Sequence, residues 1–129
     1  MKNIVYTLIA AVMFSACQQS LEDRCAQEVE NYNKKNCPAK IADNTTIDSL
    51  VFERSTHTMH YYYTLSGNAD NPEIVAQIDP AKVLLEQIRN STAIKAYKDA
   101  GYNFAYTYHS ESQTGRILFE RTFTEKDYK

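Results

Sequence analysis

The feature that most constrains the fold is a set of four β-type segments that occur in two pairs. Residues 57–66 (HTMHYYYTLS) have the strongest strand pattern, because aromatic and β-branched residues dominate them. Residues 46–54 form a second strand pattern, and only Ser55 and Thr56 separate the two. Neighbouring strands with so short a connection pair antiparallel, so we predict one hairpin here.

The second pair of strand patterns lies near the C-terminal end. Residues 102–110 alternate strictly between two faces, and residues 116–124 follow after a turn that contains Gly115. We predict a second hairpin from these two segments, and a loose tail over residues 125–129. One face of its first strand carries aromatic rings throughout: Tyr102, Phe104, Tyr106 and Tyr108.

A helix is predicted before the first hairpin. Ser20 and Asp23 have the spacing of a capping box, which marks the start of a helix. Cys25 and Val29 belong to an apolar stripe with helical spacing. We therefore predict a helix over residues 21–33 that packs on the core.

Two further helices are predicted between the hairpins. Asp79 followed by Pro80 is typical of an N-cap and a first helical position. After an interruption at residues 90–92, a second helix is expected over residues 93–100, with Gly101 as its left-handed cap.

The order of these elements predicts an α+β fold. We expect a four-stranded antiparallel sheet with helices on one face, in the order α-β-β-α-α-β-β, because the strands occur in hairpins without an obvious crossover. Residues 21–129 have the length of one small domain.

The first sixteen residues are organised differently from the rest of the chain. Residues 1–16 have one early lysine, an apolar run and then two small residues before Cys17. The apolar run is shorter than the roughly 20 residues of a membrane-spanning helix and is typical of a secretory signal peptide. We predict a cleaved leader over residues 1–16, followed by a short tether over residues 17–20.

The segment Phe14 to Cys17, FSAC, resembles the lipobox of bacterial lipoproteins, although Phe14 stands where leucine is usual. The leader, tether and size look like those of small exported lipoproteins of Bacteroides-type bacteria. The resemblance implies lipid on Cys17 and anchoring in the cell envelope, at the outer membrane, on its periplasmic or surface side. The alternative is a plain secretory peptide that leaves Cys17 unmodified. The resemblance is specific over the first twenty residues and implies no activity.

The charge of the chain argues against nucleic acid as a partner. The formal net charge is −2 and becomes −3 when Lys2 leaves with the leader, which holds no acidic residue. Nucleic-acid binding needs clustered Lys and Arg, whereas the basic residues here are scattered. Membrane attachment is expected only through the lipid on Cys17.

Catalytic and metal motifs are missing from the sequence. His57 and His60 lie three apart on a predicted strand, so they point to opposite faces and do not chelate one ion. No nucleophile motif, glycine-rich phosphate loop or calcium loop is present. We expect no enzyme activity, no metal and no cofactor.

The two remaining cysteines are compatible with either a disulfide or two free thiols. Cys25 lies on the inward stripe of the first helix, and Cys37 follows that helix. In an oxidising compartment they form a bridge only if the helix ends early; otherwise Cys25 is a buried free thiol.

Three consecutive tyrosines, Tyr61 to Tyr63, place rings on both faces of the sheet. Met59, Tyr61, Tyr63 and Leu65 are expected to face the helices. The outward residues His60, Tyr62 and Thr64 form a candidate binding surface, because tyrosine is enriched at interfaces. The alternative is cross-strand aromatic pairing that only stabilises the sheet.

These observations favour a non-catalytic protein-binding module in the cell envelope. Two more specific hypotheses remain open. The first is an immunity protein or inhibitor that neutralises a secreted toxin or hydrolase. The second is a structural accessory subunit of an envelope assembly.

Overall fold

Helices precede, interrupt and follow the strands in the part of the chain described by a computed structural model, residues 19–129. The helices are α1 (Leu21–Asn36), α2 (Pro72–Ile78), α3 (Pro80–Asn90), α4 (Lys95–Asp99) and α5 (Glu125–Tyr128). The strands are β1 (Ala39–Ala42), β2 (Thr45–Glu53), β3 (Thr58–Leu65), β4 (Asn103–Ser110) and β5 (Ile117–Phe123).

The strands form one mixed sheet in the order β1-β2-β3-β4-β5. Both predicted hairpins are present, but β3 and β4 at the centre run parallel, with Thr58 opposite Asn103 and Leu65 opposite Ser110. The α+β class is therefore confirmed, whereas a four-stranded, purely antiparallel sheet is wrong. Residues 66–102 form a helical crossover that returns the chain to the end of the sheet where β3 begins. Strand β1 adds a fifth strand beside β2.

The core lies between the sheet and the helices. Aromatic side chains from the sheet fill its centre together with Cys25 and Val29 of α1, Leu84 and Ile88 of α3, and Tyr97 of α4. Every residue of this core cluster lies between Cys25 and Tyr128. A chain of residues 18–129 therefore contains the whole core described here.

Helix α1 begins as predicted and ends later. The Ser20 side chain accepts a hydrogen bond from the Asp23 backbone N–H at 3.1 Å, as an N-cap does. The helix continues to Asn36, where the Cys37–Pro38 segment ends it. Asn33 bonds both the N–H and the carbonyl of Leu50 at 2.8 Å, which fixes the last turns of α1 against β2.

Of three local predictions, the loose C-terminal tail is wrong, whereas the start of α3 and the left-handed Gly101 are right. The tail is helical: Thr124 and Asp127 form a capping box, and the buried Tyr128 donates its hydroxyl proton to the Tyr102 carbonyl at 2.7 Å. Asp79 is the N-cap residue of α3 and Pro80 is its first residue, as predicted, although Asp79 has a left-handed conformation (φ 54°) and makes no side-chain cap bond. Gly101 does have the expected left-handed conformation, at φ 78°.

Candidate functional site

The sheet face opposite the helices contributes no residue to the core cluster, and we call it the open face. Alternate residues of β2 to β5 point to it, as the strand register requires. Its residues include Val51, Glu53, His60, Tyr62, Thr64, Ala105, Thr107, His109, Glu120 and Thr122.

A chain of hydrogen bonds crosses the open face from β3 to β5. The Thr107 hydroxyl donates to Glu120 Oε2 at 2.9 Å and lies 2.7 Å from His60 Nε2. Since the Thr107 proton is used on Glu120, His60 Nε2 carries a proton and donates to Thr107. In neutral His60 the other ring nitrogen, Nδ1, then accepts from the Tyr62 hydroxyl, 3.2 Å away.

The centre of this hydrogen-bond network is shielded from water. Thr107 is 1% exposed, and the His60 side chain is 15% exposed. The Glu53 side chain lies at the edge, half exposed, with Oε2 3.8 Å from His60 Nδ1. The open face therefore holds an ordered polar network beneath a partly hydrated surface.

Three aromatic rings stand in a row over the same strands. The His60 and Tyr62 rings are stacked at 4.1 Å with an interplanar angle of 13°, and His109 lies on the other side of Tyr62 at 6.4 Å. Burial raises the pKa of Tyr62, and the carboxylates of Glu53 and Glu120 raise it further. The hydroxyl of Tyr62 therefore stays protonated at neutral pH.

The open face surrounds a buried hydroxyl with aromatic rings and carboxylates. Its most ordered hydroxyl, on Thr107, is buried and engaged on both sides. Within residues 19–129, no three His, Cys, Asp or Glu side chains come together as a metal site. His60, Tyr62 and His109 are each partly exposed and are flanked by carboxylates, so the face can offer a partner aromatic rings and hydrogen-bond acceptors.

The structure brings together two of the three residues predicted for this surface. His60 and Tyr62 are in direct contact, whereas Thr64 donates separately to Asp48 Oδ2 at 2.6 Å. Thr107 and Glu120 were not predicted, because their proximity to His60 depends on the parallel register of β3 and β4. The alternation of side chains along each strand predicted which residues share a face, but not which residues of the other strands lie beside them.

A concave surface lies on the other side of the sheet, between α2, α3 and the ends of the strands. We call it the apolar cleft; its volume is about 280 Å³. Its lining residues are Ile41, Thr45, Tyr63, Leu65, Ala69, Val75, Ile78, Pro80, Val83, Leu84, Gln87, Tyr108 and Phe119. None of them is charged, and three at its rim are well exposed: Ile41 at 55%, Ile78 at 57% and Val83 at 42%.

Tyrosine rings form the floor of the apolar cleft. Tyr63 and Tyr108 are stacked at 4.6 Å, and Phe119 packs against Tyr108 at 6.1 Å. Burial raises the pKa of Tyr108 to about 12. Burial is also the main cause that raises the pKa of Tyr63, and the neighbouring Tyr108 hydroxyl raises it further. Both hydroxyls therefore remain neutral donors.

The remaining predicted residues are the cysteines. Cys25 is fully buried and Cys37 half-buried, and both are free thiols in this structure. Burial raises the pKa of Cys25 to about 11, and burial also raises the pKa of Cys37, so neither is a thiolate at neutral pH. Cys17 and the predicted leader lie outside the described residues. No helix within residues 19–129 is both long and apolar enough to span a bilayer.

The fold and the two surfaces define a small α+β domain with a mixed sheet and one bare face. The chain belongs to the family described as "Domain of unknown function (DUF8479)", whose model matches residues 20–119. The fold is similar to the crystal structure of a "putative secreted protein (PA3611)" from Pseudomonas aeruginosa, with a TM-score of 0.64 and 13% identity. That similarity covers 87% of this chain and 100% of the other. A search of curated proteins gives no match.

Proposed function

We propose that this protein is exported, is anchored in the cell envelope by lipid on Cys17, and acts there as a non-catalytic protein-binding module. The leader pattern and its lipobox-like end support the location, at the outer membrane. The Pseudomonas aeruginosa protein of similar fold is described as secreted, which supports export of this chain. The single observation that supports binding is the ordered polar and aromatic network on the open face.

Order in the free protein lowers the cost of binding. Association normally immobilises interface side chains, at about 0.5–1.5 kcal/mol for each flexible one. Here His60 is already held by Thr107 on one side and by the Tyr62 ring on the other. A partner therefore meets fixed donors and acceptors, and it loses little affinity to their ordering.

Charge indicates the chemistry of the partner. Glu53 and Glu120 flank the aromatic row, and both are exposed. An arginine side chain fits such a surface, because its guanidinium group stacks on rings and pairs with carboxylates. The proposed partner is thus a protein segment that presents arginine or lysine to the open face.

Affinity capture from native envelope extract tests this proposal. Immobilised residues 18–129 are compared with Tyr62→Ala and with Thr122→Ala, a matched control because Thr122 is exposed on the same face. We expect one stoichiometric partner that Tyr62→Ala loses at least tenfold and Thr122→Ala retains. Equal recovery by all three proteins would rule out the Tyr62 surface as the binding site.

The identity of the captured protein distinguishes the narrower roles. A secreted toxin or hydrolase would assign an immunity or inhibitor function, and outer-membrane machinery would assign an accessory subunit. Lipidation is tested separately by metabolic labelling with palmitate. Label on the wild-type protein and none on Cys17→Ser is expected, whereas equal labelling would contradict the proposed anchor.

A further inference from the structure

The apolar cleft plays no part in the binding just proposed, because it lies on the opposite side of the sheet. We propose that it is a binding site for an uncharged ligand with a single hydrocarbon chain, such as a medium-length fatty amide, ester or alcohol. This inference is independent of the open face and is argued from volume, lining, polar groups and position.

The volume admits one chain. The cleft measures about 280 Å³. A dry cavity of about 150 Å³ takes one benzene molecule, and ligand pockets in proteins begin at about 300 Å³. A single chain of medium length therefore matches the space, whereas the paired chains of a phospholipid do not.

The lining excludes a charged group from the interior. Leu65, Val75 and Leu84 are buried at its walls, and no Asp, Glu, Lys, Arg or His is among its lining residues. An ionised carboxylate inside would lose its hydration without a compensating charge. The ligand is therefore neutral where it enters the cleft.

Two tyrosine hydroxyls in the cleft are free to bind a polar head group. Of the nine tyrosines in residues 19–129, three bond protein atoms through their hydroxyls, namely Tyr62, Tyr97 and Tyr128. Tyr63 and Tyr108 make no such bond within the described part of the chain. No buried side-chain nitrogen or oxygen there lacks a partner, so both hydroxyls reach accessible space. With the Gln87 amide, they offer hydrogen bonds to a carbonyl or hydroxyl group.

The rim extends the apolar surface into solvent. Ile41, Ile78 and Val83 are about half exposed, and all three line the cleft. Isolated apolar residues on a surface need no explanation, but a contiguous apolar patch around a cavity marks a binding site. A chain that emerges from the cleft would cover these three side chains.

The cleft lies at the end of the sheet away from the proposed anchor. The start of α1 is tied to the other end, where Arg54 bonds Asp23 at 2.9 Å and His57 contacts Glu22. Tyr63 and Leu65 of the cleft come near the end of β3, about 20 Å from its first residue at roughly 3.3 Å per residue. The cleft therefore lies at the end of the sheet farther from the proposed anchor, where a ligand from the aqueous side can reach it.

Probe fluorescence tests the proposal on residues 18–129, without detergent. The neutral probe is 1-N-phenylnaphthylamine, and decanamide is the competitor. We expect saturable 1:1 probe binding that decanamide displaces. Val83→Trp, which fills the cleft entrance, should weaken the probe at least tenfold. Val51→Trp is the matched control, because Val51 is equally exposed, at 43%, on the open face.

A second variant keeps the test valid if Val83→Trp misfolds. Tyr108→Phe leaves the cleft's shape intact and removes one hydroxyl, so decanamide should bind about threefold to tenfold more weakly while the probe is unaffected. Failure of saturable probe binding, or equal loss in Val51→Trp, would overturn the proposal. Reversible dimers that Val83→Trp dissociates would assign the cleft to a second copy and overturn it as well.

Discussion

Replacing Thr107 by valine tests whether the network on the open face is formed in solution. Valine has nearly the shape of threonine, so the change removes the hydroxyl without leaving a cavity. Thr107 is 1% exposed, and its hydroxyl makes two bonds, to His60 and to Glu120. The effect on stability therefore comes almost entirely from hydrogen bonding.

The magnitude follows from what each partner loses. A net hydrogen bond contributes about 0.5–1.5 kcal/mol, and one to a charged group about 1.5–3 kcal/mol. Glu120 is exposed and regains water when its bond is lost, which reduces the second figure. His60 is mostly buried and loses an acceptor that water replaces poorly. We expect Thr107→Val to lower the free energy of unfolding by about 1–3 kcal/mol.

Urea denaturation measures this change, with Thr122→Val as the control. Thr122 is exposed on the same face, so its replacement should stay within about 0.5 kcal/mol. The midpoint should fall in Thr107→Val while the slope m is unchanged. Nitrogen NMR of the His60 ring should show the Nε2-protonated form in the wild type. Equal midpoints for the two valine variants would refute the network.

Three further predictions concern the fold. Tyr97 is fully buried and donates its hydroxyl proton to Glu28 Oε2 of α1 at 2.5 Å. Tyr97→Phe should therefore lower the free energy of unfolding by about 1–2 kcal/mol in urea denaturation. An unchanged midpoint would contradict this bond. Burial raises the pKa of Tyr61 and of Tyr108 from 10 to about 12. Because the folded state favours the protonated phenols, their contribution to stability is complete below pH 10 and is lost as the pH rises toward 12. Phenolate absorbance should show ionisation that coincides with unfolding, and free titration near pH 10 would contradict the burial. Hydrogen bonds from Ser110 and Ser112 lower the pKa of Asp70 below 3.8. The stability that Asp70 contributes is therefore present above pH 3.8 and is lost as the pH falls through the lowered pKa of the folded state. The difference in urea midpoint between wild type and Asp70→Asn should then vanish in acid. A difference that persists in acid would contradict the lowered pKa.

Local patterns in the sequence predicted much of the fold. The capping residue Ser20, the alternation around Tyr61 to Tyr63 and the left-handed Gly101 each depend on neighbours within a few residues. Such signals are read directly from the chain. The assignment of Met59 and Leu65 to the helix side of the sheet is confirmed for the same reason, since strand alternation fixes the two faces.

Longer-range features were missed because no local pattern encodes them. The parallel pairing of β3 with β4 depends on where residues 66–102 return the chain, and a hairpin pattern is compatible with either direction. Strand β1 is only four residues long and mostly exposed, so it lacks a burial pattern. The contact between His60 and Thr107 follows from the parallel register and was therefore beyond prediction.

A partner protein is proposed to bind the open face in the intact envelope. Site-specific photocrosslinking in living cells tests it most directly, with p-benzoylphenylalanine at position 62 of the full-length protein. Position 82, on the exposed surface of α3 in the opposite layer, is the control. We expect one discrete crosslinked product from position 62 and none from position 82. A product from position 82 alone, or the same product from both, would contradict it.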